Sequence, residues 1–343
     1  MIAPKYLSEY YFKDGIACVH SDKYGFIDKK DNIKIDFKYD NAHDFSESLA
    51  MVELDEKYGF IDTKDNIIIP LKYEDANDFS EGLAAVKLNK KYGFINKKGV
   101  PITDFKYTVV MNFSEGMAMV SVAGKGYGYI DKLGNEIIAP QYDVAEQKFA
   151  NGLAMIGIGD KTGFVDKTGN IAIDVKYDDV GIFKDGLIPV AKNKKYGFVN
   201  KQGKVIIELK YDRVGYFTDN LARVTLNGRT GFIDKTGKVI IPLKYDGAGD
   251  FINNIAPVSL NKKGGYIDQN GREFIELKYE NIYNFSEGLA FVKLNDKWGC
   301  INVNGKLIIP FEYEKPAIFL NGVAKVTMVG KEIYINEQGK KLD

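Results

Sequence analysis

The stretch KYGFIDKK, Lys23 to Lys30, reads as a β-strand running into a turn, since Tyr, Phe and Ile favour a pleated strand and Asp begins the punctuation. It returns as KYGFIDTK from Lys57, KYGFINKK from Lys91 and KYGFVNKQ from Lys195. Its glycine recurs at Gly25, Gly59, Gly93, Gly128, Gly163, Gly197, Gly231, Gly265 and Gly299, in steps of 34 or 35 residues, and Ile333 takes the tenth position. Self-similarity at such a period marks an array of small units, each of which buries its apolar face only against its neighbours. The copies run from end to end, so residues 1–343 are expected to form one continuous array. Both 35-residue steps and the most altered segments, VVMNF at Val109 to Phe113 and VAEQKF at Val144 to Phe149, lie near 107–150, where an irregularity or break is expected.

Two other positions hold one residue type in all ten copies. The first is Tyr6, Tyr39, Tyr73, Tyr107, Tyr142, Tyr177, Tyr211, Tyr245, Tyr279 and Tyr313; the second is Phe12, Phe45, Phe79, Phe113, Phe149, Phe183, Phe217, Phe251, Phe285 and Phe319. Aromatic rings give a short unit its largest burial, so these positions are expected in a core shared between units.

Within the third unit, Gly82 to Leu88 reads as a strand, Asn89-Lys90-Lys91 as a tight link, and Tyr92 to Asn96 as a second strand. A turn at Asn96 to Gly99 leads to a third strand, Val100 to Phe105. No segment carries the 3.6-residue period of an amphipathic helix. The expected unit is a three-stranded antiparallel meander followed by an irregular connection, and the chain is all-β.

Asp or Asn closes the second strand in every copy, from Asp28 to Asn336, and three residues later stands Gly, or Asp31 and Asp65 in the first two copies. An Asx side chain accepts a hydrogen bond from the backbone two residues on, and the last position suits a left-handed residue. Because Asp and Asn alternate freely here, these carboxylates read as turn formers and not as calcium ligands or proton carriers. After the invariant phenylalanine, FSEG at Phe79 to Gly82 varies to FTDN and FINN, again ending on a turn residue. Pro4, Pro70, Pro140, Pro242 and Pro310 precede the tyrosine, which suits a strand end or edge.

Lys plus Arg and Asp plus Glu are both 47, giving a formal net charge of zero. Nucleic-acid and anionic-membrane partners call for a basic excess, so neither is expected. Cys18 and Cys300 fall in apolar positions of the repeat and read as core residues. The only histidines, His20 and His43, lie in no metal-ligand spacing. Gly124-Lys125-Gly126-Tyr127-Gly128 resembles a phosphate loop, but no helix follows to complete an anion cradle. No cofactor and no catalytic residue are expected. No apolar run is long enough for a membrane helix and no signal peptide is recognisable, which makes the cytoplasm the default compartment.

The repeat consensus YGFIDKKG, then II-P-x-KYD, then FSEGLAAV, is similar to the bacterial WG (KWG) repeat family. The namesake dipeptide survives at Trp298-Gly299, while Tyr24, Tyr58, Tyr92, Tyr127 and Tyr196, or Thr162, Thr230, Gly264 and Glu332, take the Trp position elsewhere. The resemblance implies a β-rich repeat protein without catalytic residues. Thirty-four residues is lean for a four-stranded propeller blade, and ten blades exceeds the usual range of about four to eight. An open superhelical array is therefore favoured over closed propeller-like rings.

The functional expectation is a non-catalytic scaffold that binds a protein or peptide. The alternative is a multivalent carbohydrate-binding protein that stacks sugars on repeated aromatics. Tyr24, Tyr58, Tyr92, Tyr127, Tyr196 and Trp298 are the candidate binding residues, because the array tolerates Thr, Gly or Glu in their place.

Overall fold

The computed structural model describes residues 11–13 and 15–342, and every regular element among them is a β-strand. The strand expected over Ile2 to Tyr6, with Pro4 and Tyr6, lies outside the described residues. Among the described residues, ten small antiparallel sheets follow one another along the chain, and none closes into a barrel. The chain divides into two compact units, Met1–Lys176 and Tyr177–Asp343. The boundary falls at Lys176, and residues 107–150 carry two inserted residues. The extra residues of that stretch are absorbed in loops: one lengthens the hairpin between Val122 and Gly126, and the other lies between Val144–Ala145 and Phe149. The glycine-rich run from Gly124 is that hairpin, closed by Lys125 N–H donating to the Val122 carbonyl at 3.0 Å.

The second sheet shows how a unit is built. Its strands are Asn41–Ala42, Ala50–Leu54, Lys57–Ile61 and Ile67–Tyr73, side by side in that order. The last three are the expected meander. The first adds a fourth strand inside the segment that the sequence reads as irregular. It is held by Asp40 N–H donating to Glu53 O at 2.9 Å and His43 N–H donating to Met51 O at 3.0 Å. A two-residue strand has no alternation to detect, which is why its pattern escapes the sequence.

The third strand expected over Val100 to Phe105 does not form. Only two isolated bridges remain, Ile95 to Pro101 and Tyr92 to Tyr107. Pro101 has no N–H to donate, and Thr103 Oγ1 accepts the Phe94 N–H at 2.9 Å, replacing a ladder partner with a side chain.

The turns follow the sequence closely. Asp28 Oδ1 accepts the Lys30 N–H at 2.8 Å and the Asn32 N–H at 3.0 Å. Asn96 makes the same pair of bonds with Lys98 and Val100, so a neutral amide serves as well as a carboxylate. Asp31 and Asp65 sit at φ 58° and 66°, where later copies place glycine. Glu81 and Gly82 both have positive φ, 54° and 87°. They form a two-residue hairpin turn whose twist matches the flanking strands.

Gly59 explains the glycine of the opening motif. The pairing Tyr58–Tyr73, Phe60–Ile69 and Ile61–Ile67 leaves extra residues on the third strand opposite Gly59. This bulge presses backbone against the second strand. A Cβ on Gly59 would lie 2.6 Å from Ile69 O and 2.8 Å from Leu71 N.

Both faces of a sheet are buried. Phe60, Ile69 and Tyr73 of one sheet pack with Ala76, Ala84, Val86 and Ile95 of the next, closed by Phe79. On the far side of that next sheet, Phe94 and Ala85 pack with Val110, Phe113 and Ile130. Within each unit, a core therefore lies between consecutive sheets. All nine described members of the invariant tyrosine position, Tyr39 to Tyr313, are buried. In seven copies the invariant phenylalanine meets the ring of the preceding sheet, as in Phe60–Phe79 at 4.8 Å and Phe232–Phe251 at 4.7 Å between centroids. Such pairs add about 0.5–1.5 kcal/mol beyond area burial. Cys300 replaces that ring in its sheet, and Phe291 on the adjacent strand stacks on Phe319 instead. Pro70, Pro140, Pro242 and Pro310 all lie on third strands at a sheet edge, where a missing N–H costs nothing.

Candidate functional site

The candidate aromatics occupy one position of the second strand, each on a different sheet. Cross-strand partners share a face, so each belongs to a row, of three residues for Tyr24 and of four for the others. In the third sheet the row is Asp75, Lys87, Tyr92 and Tyr107. Tyr92 lies back across this row, with Lys87 Nζ 5.3 Å from its ring centre and its hydroxyl donating to the Asp75 carboxylate. Burial first, then the bond to Asp75, pushes this phenol up to about 12.

Tyr196 repeats the arrangement, with its hydroxyl 3.4 Å from Asp179 Oδ2. Burial, then Glu53, raises the Tyr58 phenol, with Asn41 of the short strand opposing the shift. Tyr127 packs beside Val109, the corresponding residue of its row. Tyr24 stacks on His20 at 4.3 Å. Trp298 is buried and meets Tyr283 edge-on at 5.4 Å. The five tyrosines are half-buried. The six residues serve six sheets and are not gathered into one site.

The opposite wall of each position is the short strand of the following sheet. Tyr24 packs in the core of Ala42, Tyr58 in that of Ala76, and Tyr92 in that of Val110. Where the aromatic is lost, the wall tells two different stories. Gly264 faces Ile282, and a Cβ on Gly264 would stand 3.0 Å from Ile282 Cγ2. The larger wall residue refills part of that space, leaving a hollow of about 530 Å³. Thr230 faces Ala248, and both are small. A hollow of about 520 Å³ remains between them, bordered also by Arg213, Arg223 and Thr225.

The other chemistry-bearing groups have structural partners. Burial, with a smaller effect from Asp44, pushes the Cys18 thiol up to about 12, and burial raises the Cys300 thiol as well. His43 Nδ1 lies 3.1 Å from Asp78 Oδ1. Among the described residues, no three His, Cys, Asp or Glu side chains are grouped to hold a metal ion. No helix among them is long and apolar enough to cross a membrane.

Sequence reading missed the roles of Ser and Glu in FSEG. Ser46 and Ser80 donate to the Phe79 and Phe113 carbonyls of the following unit, each at 2.8 Å. Glu115 accepts the Asn151 and Gly152 N–H groups, both at 2.8 Å, and pairs with Lys167 at 2.9 Å. These side chains join one unit to the next. Their recurrence in FSEG was the available signal, but a turn accounts for its glycine alone.

Comparison with curated proteins finds no match. Similar solved structures include the computationally designed Ika8 protein, at 11% identity and TM-score 0.34, covering 87% of this chain and 93% of that one. A eukaryotic initiation factor is similar at 11% identity and TM-score 0.40, covering 88% and 96%. BamB from Moraxella catarrhalis is similar at 10% identity and TM-score 0.33, covering 88% and 95%. The description WG containing repeat matches nine times, at residues 24–58, 58–92, 92–125, 127–161, 163–196, 196–229, 231–263, 265–298 and 298–331. Together with the row that places tyrosine or Trp298 before its glycine, these matches mean that the chain belongs to the WG repeat family.

Proposed function

We propose that this protein is a non-catalytic repeat scaffold that binds a protein or peptide partner. The observation that carries this reading is a recurring exposed aliphatic residue at the start of the third strand. Ile33, Ile67 and Ile171 occupy this position in one unit, and Val205, Val239 and Leu307 in the other, with 44% to 60% of each surface exposed. Each register partner that is assigned, such as Ile61 for Ile67 and Ile233 for Val239, is fully buried. The exposed residue is thus not needed by the core, and apolar surface repeated in this way suits a partner's side chains.

The partner engages side chains and does not extend the sheet. Third strands are edge strands, and they carry Asp36, Pro70, Asp174, Glu208, Pro242, Glu276 or Pro310 at their centre, or Pro140 one residue beyond it. Proline and exposed charge on an edge oppose the addition of another strand. The balanced charge favours a protein over a nucleic acid or a membrane surface. A carbohydrate reading needs open ring faces; the invariant tyrosines are buried, the candidate tyrosines are half-buried against neighbouring side chains, and Trp298 is buried.

The test replaces Ile33, Ile67 and Ile171 together with Asp. A partner captured from the native cell by the original chain, and lost by this variant while its β-sheet circular dichroism is unchanged, supports the scaffold. Failure to recover any partner above background, or equal recovery by the variant, counts against it.

A further inference from the structure

At Thr230 both the ring of the Tyr92 and Tyr196 rows and the carboxylate beside its hydroxyl are replaced. Across the third sheet the row reads Asp75, Lys87, Tyr92; across this one it reads Arg213, Thr225, Thr230. The aromatic ring is gone, and the carboxylate that receives its hydroxyl has become a guanidinium. Tyr92 shows what the position accommodates: a ring laid over the middle residue with its para substituent at the short strand. A ring placed the same way over Thr225 brings its para substituent to Arg213.

The charges around the hollow leave Arg213 as the unmatched group. Asp212 pairs with Lys195, and Asp246 pairs with Arg229. Arg223 Nε lies 3.2 Å from Asp250 Oδ1, and its Nη1 donates to Ala248 O at 2.7 Å. Arg213 is exposed and has no carboxylate partner among the described residues. Thr230 is only 4% exposed, and its hydroxyl lies 3.0 Å from that of Thr225. The floor of the hollow is thus satisfied and the cation at its end is free. Ala248 keeps the opposite wall as small as the Ala76 wall that admits Tyr58.

We propose that the hollow at Thr230 is a binding site for an aromatic ring carrying an anionic substituent, with Arg213 pairing the anion. Arg suits this task because its planar fork matches carboxylate and phosphate oxygens. The same chemistry comes from a free aryl acid or from a phosphotyrosine side chain. The site is separate from the exposed aliphatic positions and does not rest on the scaffold reading.

The experiment is calorimetric titration of the full chain with phenyl phosphate, inorganic phosphate and phenol. Phenyl phosphate is expected to bind, with inorganic phosphate and phenol each at least about tenfold weaker, since each lacks one of the two contacts. Thr230→Tyr fills the hollow with the ring that the repeat normally carries, and is expected to abolish binding with the melting temperature maintained. Arg213→Ala, at an exposed position, is expected to weaken phenyl phosphate by about tenfold. A phosphotyrosine flanked by alanines separates the two sources: tighter binding than phenyl phosphate assigns a peptide ligand, and weaker binding assigns a free aryl acid. The proposal is overturned if phenyl phosphate gives no binding at millimolar concentration, if Thr230→Tyr leaves it unchanged, or if inorganic phosphate binds equally well.

Discussion

Phe94 and Ile95 are neighbours in the chain and belong to different hydrophobic cores. Phe94 packs with Ala85, Val110 and Phe113, whereas Ile95 packs with Phe60, Tyr73 and Phe79 on the other side of the sheet. Each is at most 1% exposed. The sheet between them is shared by two interfaces, so damage to one second strand weakens the packing on both of its sides. Stability in such an array is approximately a sum over neighbouring units, and local substitutions report on particular interfaces.

Gly231→Ala tests the close approach of the bulged third strand. Its Cβ would meet Ile241 O at 2.5 Å and Pro242 O at 2.7 Å, both backbone atoms with little freedom to yield. Overpacking of this kind costs about 1–3 kcal/mol. A lower midpoint in urea is expected, and an unchanged midpoint would show that the bulge gives way.

Gly264 and Ile282 are expected to be energetically coupled. Gly264→Tyr alone drives a ring into Ile282, at a cost of about 1–3 kcal/mol. Ile282→Ala alone removes packing from the half-buried wall. The double variant recreates the Tyr58 and Ala76 pairing, so it should be less destabilised than the two single changes combined by about 1 kcal/mol or more. Denaturation of all four proteins measures the coupling, and strict additivity would refute the complementarity.

The Asp turns predict a specific acid sensitivity. Hydrogen bonds from the Asn32 side chain and backbone, with the Lys30 N–H and Lys34 adding to them, bring the Asp28 carboxyl down to about 2 from an ordinary 3.8. Asp62 and Asp166 are lowered by the same kind of bonds, from Asn66 and from Thr168. A carboxyl whose folded value is depressed contributes stability that is complete above its unfolded value and disappears as pH falls through the folded one. The contribution of Asp28 should therefore fade between roughly pH 4 and pH 2. Replacing Asp28, Asp62 and Asp166 with Asn should leave stability near pH 7 almost unchanged and flatten its decline in acid, as followed by thermal melts across this range.

His43 should titrate above its ordinary 6.5, chiefly because of its bond to Asp78, with burial opposing the shift. A raised folded value gives stability that is fully present below pH 6.5 and lost as pH rises through the folded value. Proton NMR of the imidazole should show this shift, and Asp78→Asn should remove its main cause. An Asp78→Asn variant in which His43 still titrates as high would rule out this origin.

Repeated punctuation made much of the fold legible. The Asx residue and the left-handed position three residues later act within a few bonds of each other, so Asp28 and Asp31 announce their turn without tertiary help. The invariant tyrosines were readable as core because burial demands the same large ring in every copy. The third strand expected at Val100 is lost because Pro101 and Thr103 replace a ladder that composition alone suggests. Among the candidate site residues, chain comparison found the variable aromatic position, but it pointed to the tyrosines that fill the position and not to Thr230, where it is empty.

The sequence by itself determined an all-β array of about ten units, its meander, its turns and its repeated core rings. All of these depend on residues close in the chain or on strict periodicity. Tertiary structure decided which residues face one another across neighbouring sheets. Tyr58 and Ala76, Thr230 and Ala248, and Gly264 and Ile282 are each 18 residues apart, and neither member reveals the space left by the other. A hollow is a property of two walls: at Thr230 both walls are small, whereas at Gly264 the hollow that remains is shaped by Ile282 leaning into part of the vacated space.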